Sequence, residues 1–173
     1  VPVEEVSKQL RSRAKAVNFG IVYGISEFGL AEQTGINRKE AKQYIDEYLN
    51  KYSGIKNYMD EIVEIAKRKG YVDTKFGRRR YIPELTSSNF MVREFGKRVA
   101  MNTPIQGTAA DIIKLAMIRV DKLLKENNFS TRMLLQVHDE LVFEVPIEEL
   151  MVIIPLIEKT MEEIVDFQVK LKV

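Results

Sequence analysis

Two cations and two aromatic residues recur at four-residue intervals near the start of the chain: Arg11, Lys15, Phe19 and Tyr23. Each four-residue step along an α-helix turns the side chain by only about 40°, so the four residues would form one slowly winding stripe. Lys and Arg can neutralise a triphosphate, and an aromatic face one or two turns away can stack on a sugar or base. The spacing predicts a nucleotide laid along a helix. It also fits an amphipathic helix with aromatic core residues and solvated cations.

Two adjacent acids, Asp139 and Glu140, lie where two β-rich runs, 132–137 and 140–145, meet. Only His138 and Asp139 separate the runs, which is hairpin spacing and puts Asp139 at the tip. A hard divalent cation such as Mg²⁺ prefers carboxylate oxygens together with substrate phosphates. Because neighbouring strand residues point to opposite faces, we expect only one of the two acids to be a strong direct ligand. A polar turn without a metal also fits this pattern.

A third set of polar residues, Arg98, Asn102 and Gln106, repeats the four-residue spacing around Pro104. Asn and Gln side chains can donate to minor-groove acceptors, which are nearly the same for every base pair. The set therefore suits a contact that does not depend on DNA sequence. Gln106 has an alternative role, because it stands three residues after Thr103 and could close a capping box there.

Segment 11–24, R-S-R-A-K-A-V-N-F-G-I-V-Y-G, resembles motif B of the family A DNA polymerases of the bacterial DNA polymerase I type, R-x-x-x-K-x-x-x-F-G-x-x-Y-G. Segment 136–140, Q-V-H-D-E, resembles motif C of that family, and 98–111 is also similar to it. The resemblance implies that Arg11 and Lys15 contact the phosphates of the incoming nucleotide, with Lys15 acting in catalysis. It further implies that Phe19 packs against the sugar and base, and that Tyr23 lies near the template.

The same resemblance implies DNA-templated DNA synthesis, in which a nucleotidyl group passes from a dNTP to a primer 3′-OH. Two Mg²⁺ ions are the expected cofactors, with Asp139 as a catalytic metal ligand and Glu140 as a weaker one. Primer–template DNA and dNTP are the expected partners. The residues implied in DNA binding are Arg98, Asn102, Gln106 and His138.

The expected fold class is α+β, with a mostly helical fingers subdomain joined to part of a palm that carries a small antiparallel sheet. Residues 1–97 are expected to be mainly fingers, with the nucleotide-binding helix. Residues 98–173 are expected to be a partial palm with a long helix, the catalytic hairpin and a C-terminal helix. The family pattern also has an upstream motif with a second metal-binding Asp, and no such strand precedes Arg11. We therefore expect the isolated chain to be inactive and the remainder of the polymerase chain to be a partner.

Helical and strand periodicity adds expectations about single elements. A helix over 90–102 is expected to end at Pro104, and a second helix is expected over 109–127. Another helix is expected over 148–165, interrupted or kinked at Pro155. A short hairpin or structured loop is expected over 72–82.

Charge is unevenly distributed in a chain whose formal net charge is only +2. Seven basic residues and one acid lie between Lys67 and Arg80, whereas eight acids and one base lie between Asp139 and Glu163. The basic window indicates a polyanion partner or a solvated basic loop. Cysteine is absent, which excludes disulfides and thiolate metal sites. No apolar run approaches the ~18 residues of a membrane span, so we expect a cytoplasmic protein with no membrane partner.

Two other functional classes remain open on the sequence. The first is a non-catalytic nucleic-acid-binding module built on the same scaffold, although binding alone needs no metal carboxylate at Asp139. The second is the related class of single-subunit RNA polymerases, which shares a Lys…Tyr-Gly helix. The segment Asn18-Phe19-Gly20 fits the DNA enzymes better.

Overall fold

The computed structural model describes residues 2–173, except for the side chain of Val3. It contains six α-helices: α1 (Lys8–Val22), α2 (Glu27–Thr34), α3 (Arg38–Lys51), α4 (Ser53–Lys69), α5 (Phe90–Glu126) and α6 (Leu150–Glu162). Its four strands are β1 (Tyr71–Asp73), β2 (Arg79–Tyr81), β3 (Arg132–Val137) and β4 (Glu140–Glu144). The strands form two antiparallel pairs, β1 with β2 and β3 with β4. The predicted α+β class, mostly helical with small antiparallel pairing, is confirmed.

The chain divides into two compact units, and the first of them ends at Ile105. Its helices begin and end at local signals: the side chains of Ser7, Ser26 and Asn37 cap α1, α2 and α3. Left-handed Gly70, with φ 78°, ends α4. These are the residues that favour helix termini, because they satisfy or tolerate the unpaired backbone groups there.

A buried apolar cluster joins α4, the first hairpin and the start of α5 in this unit. Its members are Val63, Ala66, Val72, Ile82, Leu85, Ala100 and Met101. The expected hairpin over 72–82 is present as β1 and β2, which pair Val72 with Arg80. Because Val72 and Ile82 are almost fully buried, the hairpin is anchored at its base. The turn at its tip reaches the surface, where Gly77 adopts φ 78°.

The expectation of two helices separated at Pro104 is wrong, because α5 is one continuous helix of 37 residues with Pro104 inside it. A proline in a helix removes one hydrogen bond, here to the carbonyl of Ala100, and crowds that carbonyl. Ala100, Met101 and Thr103 are all buried, so tertiary packing holds the turns beside the proline. Thr103 is therefore an interior helical residue rather than a cap.

The second unit begins at Gln106 and contains the rest of α5, the β3–β4 hairpin and α6. Val120 and Leu124 of α5 pack with Ile153 and Ile157 of α6 in its buried cluster. Phe143 of β4 packs against the same cluster. Phe143 therefore anchors β4 to the helices of this unit.

Two further helical details differ from expectation. The C-terminal helix is shorter than the expected 148–165: a single 3₁₀ turn, Ile147–Glu149, precedes α6, which ends at Glu162. Pro155 lies inside α6. The short helix α2 was not anticipated, although Ser26 before it and Gly35 after it are ordinary start and stop signals. Within the described residues, no helix combines the length and apolar character that crossing a bilayer requires.

The division of the chain falls after Ile105, eight residues beyond the expected boundary at 97/98. It lies within α5, so both units share that helix. The naming of the two units as fingers and partial palm stays a prediction.

Candidate functional site

The cation and aromatic stripe lies on α1, whose first turn is capped by Ser7 accepting from the backbone N–H of Leu10 at 3.2 Å. Arg11 and Lys15 are exposed on this helix. The rings of Phe19 and Tyr23 stack at a centroid distance of 6.3 Å with an interplanar angle of 29°. Phe19 is 52% exposed and Tyr23 is 42% exposed, so these aromatics are not core residues of the described chain. The stripe is open to a ligand.

Helix α1 is fixed from its other sides. Ile21 is buried at 2% exposure. The hydroxyl of Tyr48 in α3 donates to Oδ1 of Asn18 at 2.7 Å. Sequence reasoning missed Tyr48 as a support for this helix, because a partner 30 positions away leaves no local signal. Asn18, which occupies an unspecified position of the motif, is thus the residue that ties the stripe helix to α3.

The C-terminal end of α1 contacts Asn102 of α5. Nδ2 of Asn102 donates to the backbone carbonyl of Tyr23 at 3.3 Å. Among the described residues, the buried Oδ1 of Asn102 finds no hydrogen-bond partner. Gly24, which follows Tyr23, has φ 77°, and a Cβ added there would lie 2.5 Å from Cε of Met101. The positive φ favours glycine here, whereas Cε of Met101 is the end of a flexible side chain and can move aside.

Because α5 is continuous, Arg98, Asn102 and Gln106 occupy one winding stripe of a single helix. Arg98 is exposed, with its guanidinium carbon 5.9 Å from the centroid of the Phe95 ring. Gln106 is exposed as well and belongs to the second unit. Because α5 does not begin at Thr103, the capping-box alternative for Gln106 does not apply.

The carboxylate pair lies at the tip of the β3–β4 hairpin, as expected. Val137 and Glu140 are register partners, so His138 and Asp139 form the two-residue turn. His138 has φ 54°, in the left-handed region that disfavours residues with a Cβ. Its carbonyl accepts a short hydrogen bond from Nε2 of Gln136. The turn therefore presents the exposed carboxylate of Asp139 on a fixed backbone.

A cavity of about 620 Å³ lies beside this carboxylate pair in the second unit. Asp139 and Glu140 contribute to its wall, and most of the remaining lining is apolar, including Ala116, Phe143 and Ile157. Charged groups beside a low-dielectric wall interact more strongly with ligand charges than groups in open water do. The pair is thus placed to act on a charged ligand or ion.

Asp139 and Glu140 are ligands of the type that a hard divalent cation binds, but two carboxylates are too few to complete its coordination shell. Carboxylate oxygens are the protein ligands that Mg²⁺ prefers. Mg²⁺ takes about six oxygen ligands in all, and water and phosphate oxygens complete the shell. In the part of the chain that the structure describes, no group of three or more His, Cys, Asp or Glu residues could hold a metal. Asp139 and Glu140 could contribute to a Mg²⁺ site whose other oxygens come from water, substrate or another segment.

Glu149, at the base of this hairpin, is a further residue that sequence reasoning missed. Its carboxylate accepts from the backbone N–H of Ser130 at 2.7 Å, the N–H of Thr131 at 2.9 Å and the hydroxyl of Thr131 at 2.6 Å. The hydrogen bond from the Thr131 hydroxyl, and then that from Ser130, lowers the pKa of Glu149. This carboxylate fixes the start of β3.

The predicted site residues thus fall into two groups, one in each unit. The first unit brings Tyr23 and Asn102 into contact and carries the stripe of α1 beside them. The second unit brings His138, Asp139 and Glu140 together at one turn and also contains Gln106. The roles in nucleotide, DNA and metal binding stay predictions.

The chain is similar to known proteins over its whole length. The family model described as DNA polymerase family A matches residues 1–173. DNA polymerase I of Bacillus subtilis is 56% identical over 173 residues, which are 100% of this chain and 20% of that protein. DNA polymerase I of Streptococcus pneumoniae serotype 4 is 55% identical over 168 residues, covering 97% of this chain and 19% of the relative.

A solved structure is similar over nearly the whole chain. It is described as the POL domain of Pol1 from M. smegmatis in complex with DNA primer-template and dNTP. The TM-score is 0.93 at 46% sequence identity, and the match covers 99% of this chain and 30% of that one. The chain spans about a fifth of the length of the two DNA polymerase I relatives described above.

Proposed function

This chain belongs to DNA polymerase family A, and we propose that it supplies the nucleotide-binding helix and one metal-binding carboxylate pair of a DNA-directed DNA polymerase. The stripe of α1 is the observation that carries this proposal. Two exposed cations precede two half-exposed, stacked aromatic rings on a helix fixed from its other sides. Packing in an apolar core would not require exposed cations beside open rings. Binding of a nucleoside triphosphate uses both, the cations for its phosphates and the rings for its sugar and base.

In this proposal, Arg11 and Lys15 neutralise the triphosphate, and Lys15 also stabilises the charge that develops on it during transfer. Phe19 packs against the sugar and base, while Tyr23 closes the template side of the nascent pair. The hydrogen bond from Asn102 to the Tyr23 carbonyl holds that end of α1. Arg98, Asn102 and Gln106 supply donors to the minor groove, and a set of this kind tests base-pair shape without reading sequence.

The reaction is an in-line displacement at phosphorus. The primer 3′-oxygen forms a bond to the α-phosphorus, the bond from that phosphorus to the bridging oxygen breaks, pyrophosphate leaves and the 3′-hydroxyl proton is released. Bound Mg²⁺ would lower the pKa of the 3′-hydroxyl and neutralise the leaving pyrophosphate. Asp139 would hold the ion directly and Glu140 more weakly, while His138 would contact the primer terminus.

The test replaces the corresponding segment of Bacillus subtilis DNA polymerase I with this chain and measures primer extension with dNTP and Mg²⁺. The 56% identity over the full 173 residues makes that chimera feasible. Asp139→Asn keeps the side-chain shape and removes the charge, so extension should fall by about 10²–10³-fold, the scale of losing a transition-state charge contact. Asp166→Asn, at another exposed carboxylate of the same unit, is the matched control and should retain activity.

A second arm addresses the nucleotide. Lys15→Ala should raise KM for dNTP and lower kcat, because it removes a phosphate contact. Arg13→Ala is the control, since Arg13 lies about 200° around the helix from Lys15. Equal loss in both variants would contradict the assignment of the stripe. A folded chimera that binds primer–template but extends nothing would favour the non-catalytic nucleic-acid-binding module.

A further inference from the structure

The polar residues proposed to contact the minor groove span the proline turn of α5. They are Arg98, Asn102 and Gln106, and Pro104 lies between the last two. Pro104 has no backbone N–H, so the carbonyl of Ala100 loses its helical donor and is crowded by the ring. A turn weakened in this way is where a long helix most easily changes direction. The direction of α5 at this turn therefore decides how the three polar side chains align with one another.

A hydroxyl group from α4 binds within this same turn. The hydroxyl of Tyr58 donates to the backbone carbonyl of Met101 at 3.1 Å, across 43 positions of the sequence. Met101 follows Ala100 and precedes Asn102, so the bond gives the weakened turn a donor from outside the helix. Burial raises the pKa of Tyr58. The hydroxyl therefore remains a donor throughout the neutral and mildly alkaline range.

Apolar packing brings α4 and this part of α5 together but does not by itself fix their alignment. Met101 is buried in the cluster that also contains Val63 of α4, and Met59, the chain neighbour of Tyr58, packs against that cluster. Methionine side chains are flexible and adapt to small shifts. A hydrogen bond has a preferred distance and angle, so the bond from Tyr58 selects one position of the Met101 carbonyl relative to α4.

The position of Met101 affects the next residue, Asn102, directly. Among the described residues, the Asn102 side chain makes one hydrogen bond, from Nδ2 to the Tyr23 carbonyl at 3.3 Å, and its buried Oδ1 has no partner. A single bond of this length holds the amide weakly, so the amide follows the backbone of α5. A shift of Met101 would therefore displace both the amide group and its bond to the end of α1.

We propose that Tyr58 is a positioning residue for the minor-groove contacts, because its bond to the Met101 carbonyl sets the direction of α5 at Pro104 and so places Asn102. In this role Tyr58 acts through the helix and contacts neither DNA nor nucleotide. The inference rests on the proposed function, since it concerns contacts with primer–template. Minor-groove acceptors have nearly the same positions in every matched base pair, and a mispair moves them. Accurately placed donors therefore favour a matched primer terminus.

The test measures the affinity of the Bacillus subtilis chimera for primer–template by fluorescence anisotropy, with either a matched or a mismatched primer terminus. Tyr58→Phe removes the hydroxyl and keeps the ring. Affinity for the matched terminus should fall about fivefold, the factor that corresponds to one ordinary hydrogen bond, and affinity for the mismatched terminus should change by less than about twofold. Primer extension should show the same loss of preference for the matched terminus.

Tyr52→Phe is the matched control, because Tyr52 immediately precedes α4 and its hydroxyl makes no hydrogen bond within residues 2–173. It should leave both affinities unchanged. Thermal unfolding of each variant measures folding separately. If Tyr58→Phe lowers Tm but keeps the preference for the matched terminus, the bond is only structural and the proposal is overturned.

A double-mutant cycle distinguishes positioning from general stabilisation. In an Asn102→Ala chimera the amide is already absent, so adding Tyr58→Phe should lower the matched affinity by less than about a further twofold. Equal fivefold losses with and without the Asn102 amide would show that Tyr58 does not act through that side chain, and would overturn the proposal.

The two proposals fail separately. An active chimera in which Tyr58→Phe keeps its preference for the matched terminus overturns only the positioning role. A folded chimera that extends nothing, but loses matched affinity on Tyr58→Phe, overturns the catalytic proposal and leaves Tyr58 as a positioning residue of a DNA-binding surface.

Discussion

The hydroxyl of Tyr48 donates a hydrogen bond of 2.7 Å to Oδ1 of Asn18 and so joins α3 to the helix that carries the nucleotide stripe. The two residues are 30 positions apart. Asn18 lies one position before Phe19, so the bond constrains the helical turn from which that ring projects. Orientation of the stripe thus depends on a residue outside the motif.

Tyr48→Phe removes this bond and keeps the ring. We expect the free energy of unfolding to fall by about 0.5–1 kcal/mol, the net value of one hydrogen bond, and KM for dNTP to rise in the chimera. Urea denaturation and steady-state kinetics measure the two effects. Tyr44→Phe is the control, because the Tyr44 hydroxyl makes only a 3.4 Å contact to Glu40 within its own helix. The same rise in KM for both variants would contradict the positioning role.

Gly96 lies where α5 passes the 3₁₀ turn Pro83–Thr86. A Cβ added at Gly96 would be 3.0 Å from both Cβ of Glu84 and the backbone N of Leu85. Because the backbone cannot move aside cheaply, Gly96→Ala should destabilise the first unit by about 1–3 kcal/mol. Chemical denaturation measures this loss.

Gly54→Ala provides the matched control, because no atom outside its own helix lies within 4 Å of a Cβ built there. That change should stabilise the chain by about 0.5 kcal/mol, since alanine favours helix over glycine. If Gly96→Ala proved as stable as Gly54→Ala, the close approach to Leu85 would be wrong.

Glu149 makes a pH-dependent contribution to stability. Its pKa is lowered in the folded chain, first by the Thr131 hydroxyl and then by the N–H of Ser130. A carboxyl with a depressed folded pKa stabilises the fold above its unfolded pKa of about 4.3, and this stabilisation is lost as the pH falls through the folded pKa. Glu149→Gln should therefore lower the urea midpoint at neutral pH, with the difference from wild type shrinking below about pH 4.

Glu148→Gln is the control for that titration, because the Glu148 side chain is exposed and makes no hydrogen bond or ion pair within residues 2–173. It should show no comparable pH-dependent difference. A Glu149→Gln effect that is constant from neutral to acid pH would contradict the ionised hydrogen-bond acceptor.

His138 combines an unfavourable backbone conformation with a predicted contact to the primer terminus. At φ 54° a residue with a Cβ is strained by about 1–2 kcal/mol, and a β-branched one more so. His138→Gly should therefore keep or raise the stability of the chain, whereas His138→Val should lower it. Both variants should reduce primer extension in the chimera if the imidazole contacts the primer. Thermal unfolding and extension assays separate the two effects, and a fully active His138→Gly variant would remove the ring from the mechanism.

Local sequence signals mark the turn of the second hairpin and the ends of several helices. Asn37 caps α3, Gly70 ends α4 and the two-residue spacing put Asp139 at a hairpin tip. Each of these depends on interactions between residues only a few positions apart, so it can be predicted from spacing alone. Pro104 is the counterexample, because its local signal indicated a helix end while the buried residues beside it keep α5 continuous.

By itself, the sequence of this protein determined its two hairpins, the stripe of α1 and the carboxylates at one turn. Only the tertiary structure decided which residues hold those groups in place. Tyr48 binds Asn18 across 30 positions, Asn102 binds the Tyr23 carbonyl across 79, and Glu149 binds Thr131 across 18. Helix and turn propensities act over a few residues, whereas these bonds form only after the elements pack, and packing depends on the shape of the whole buried cluster.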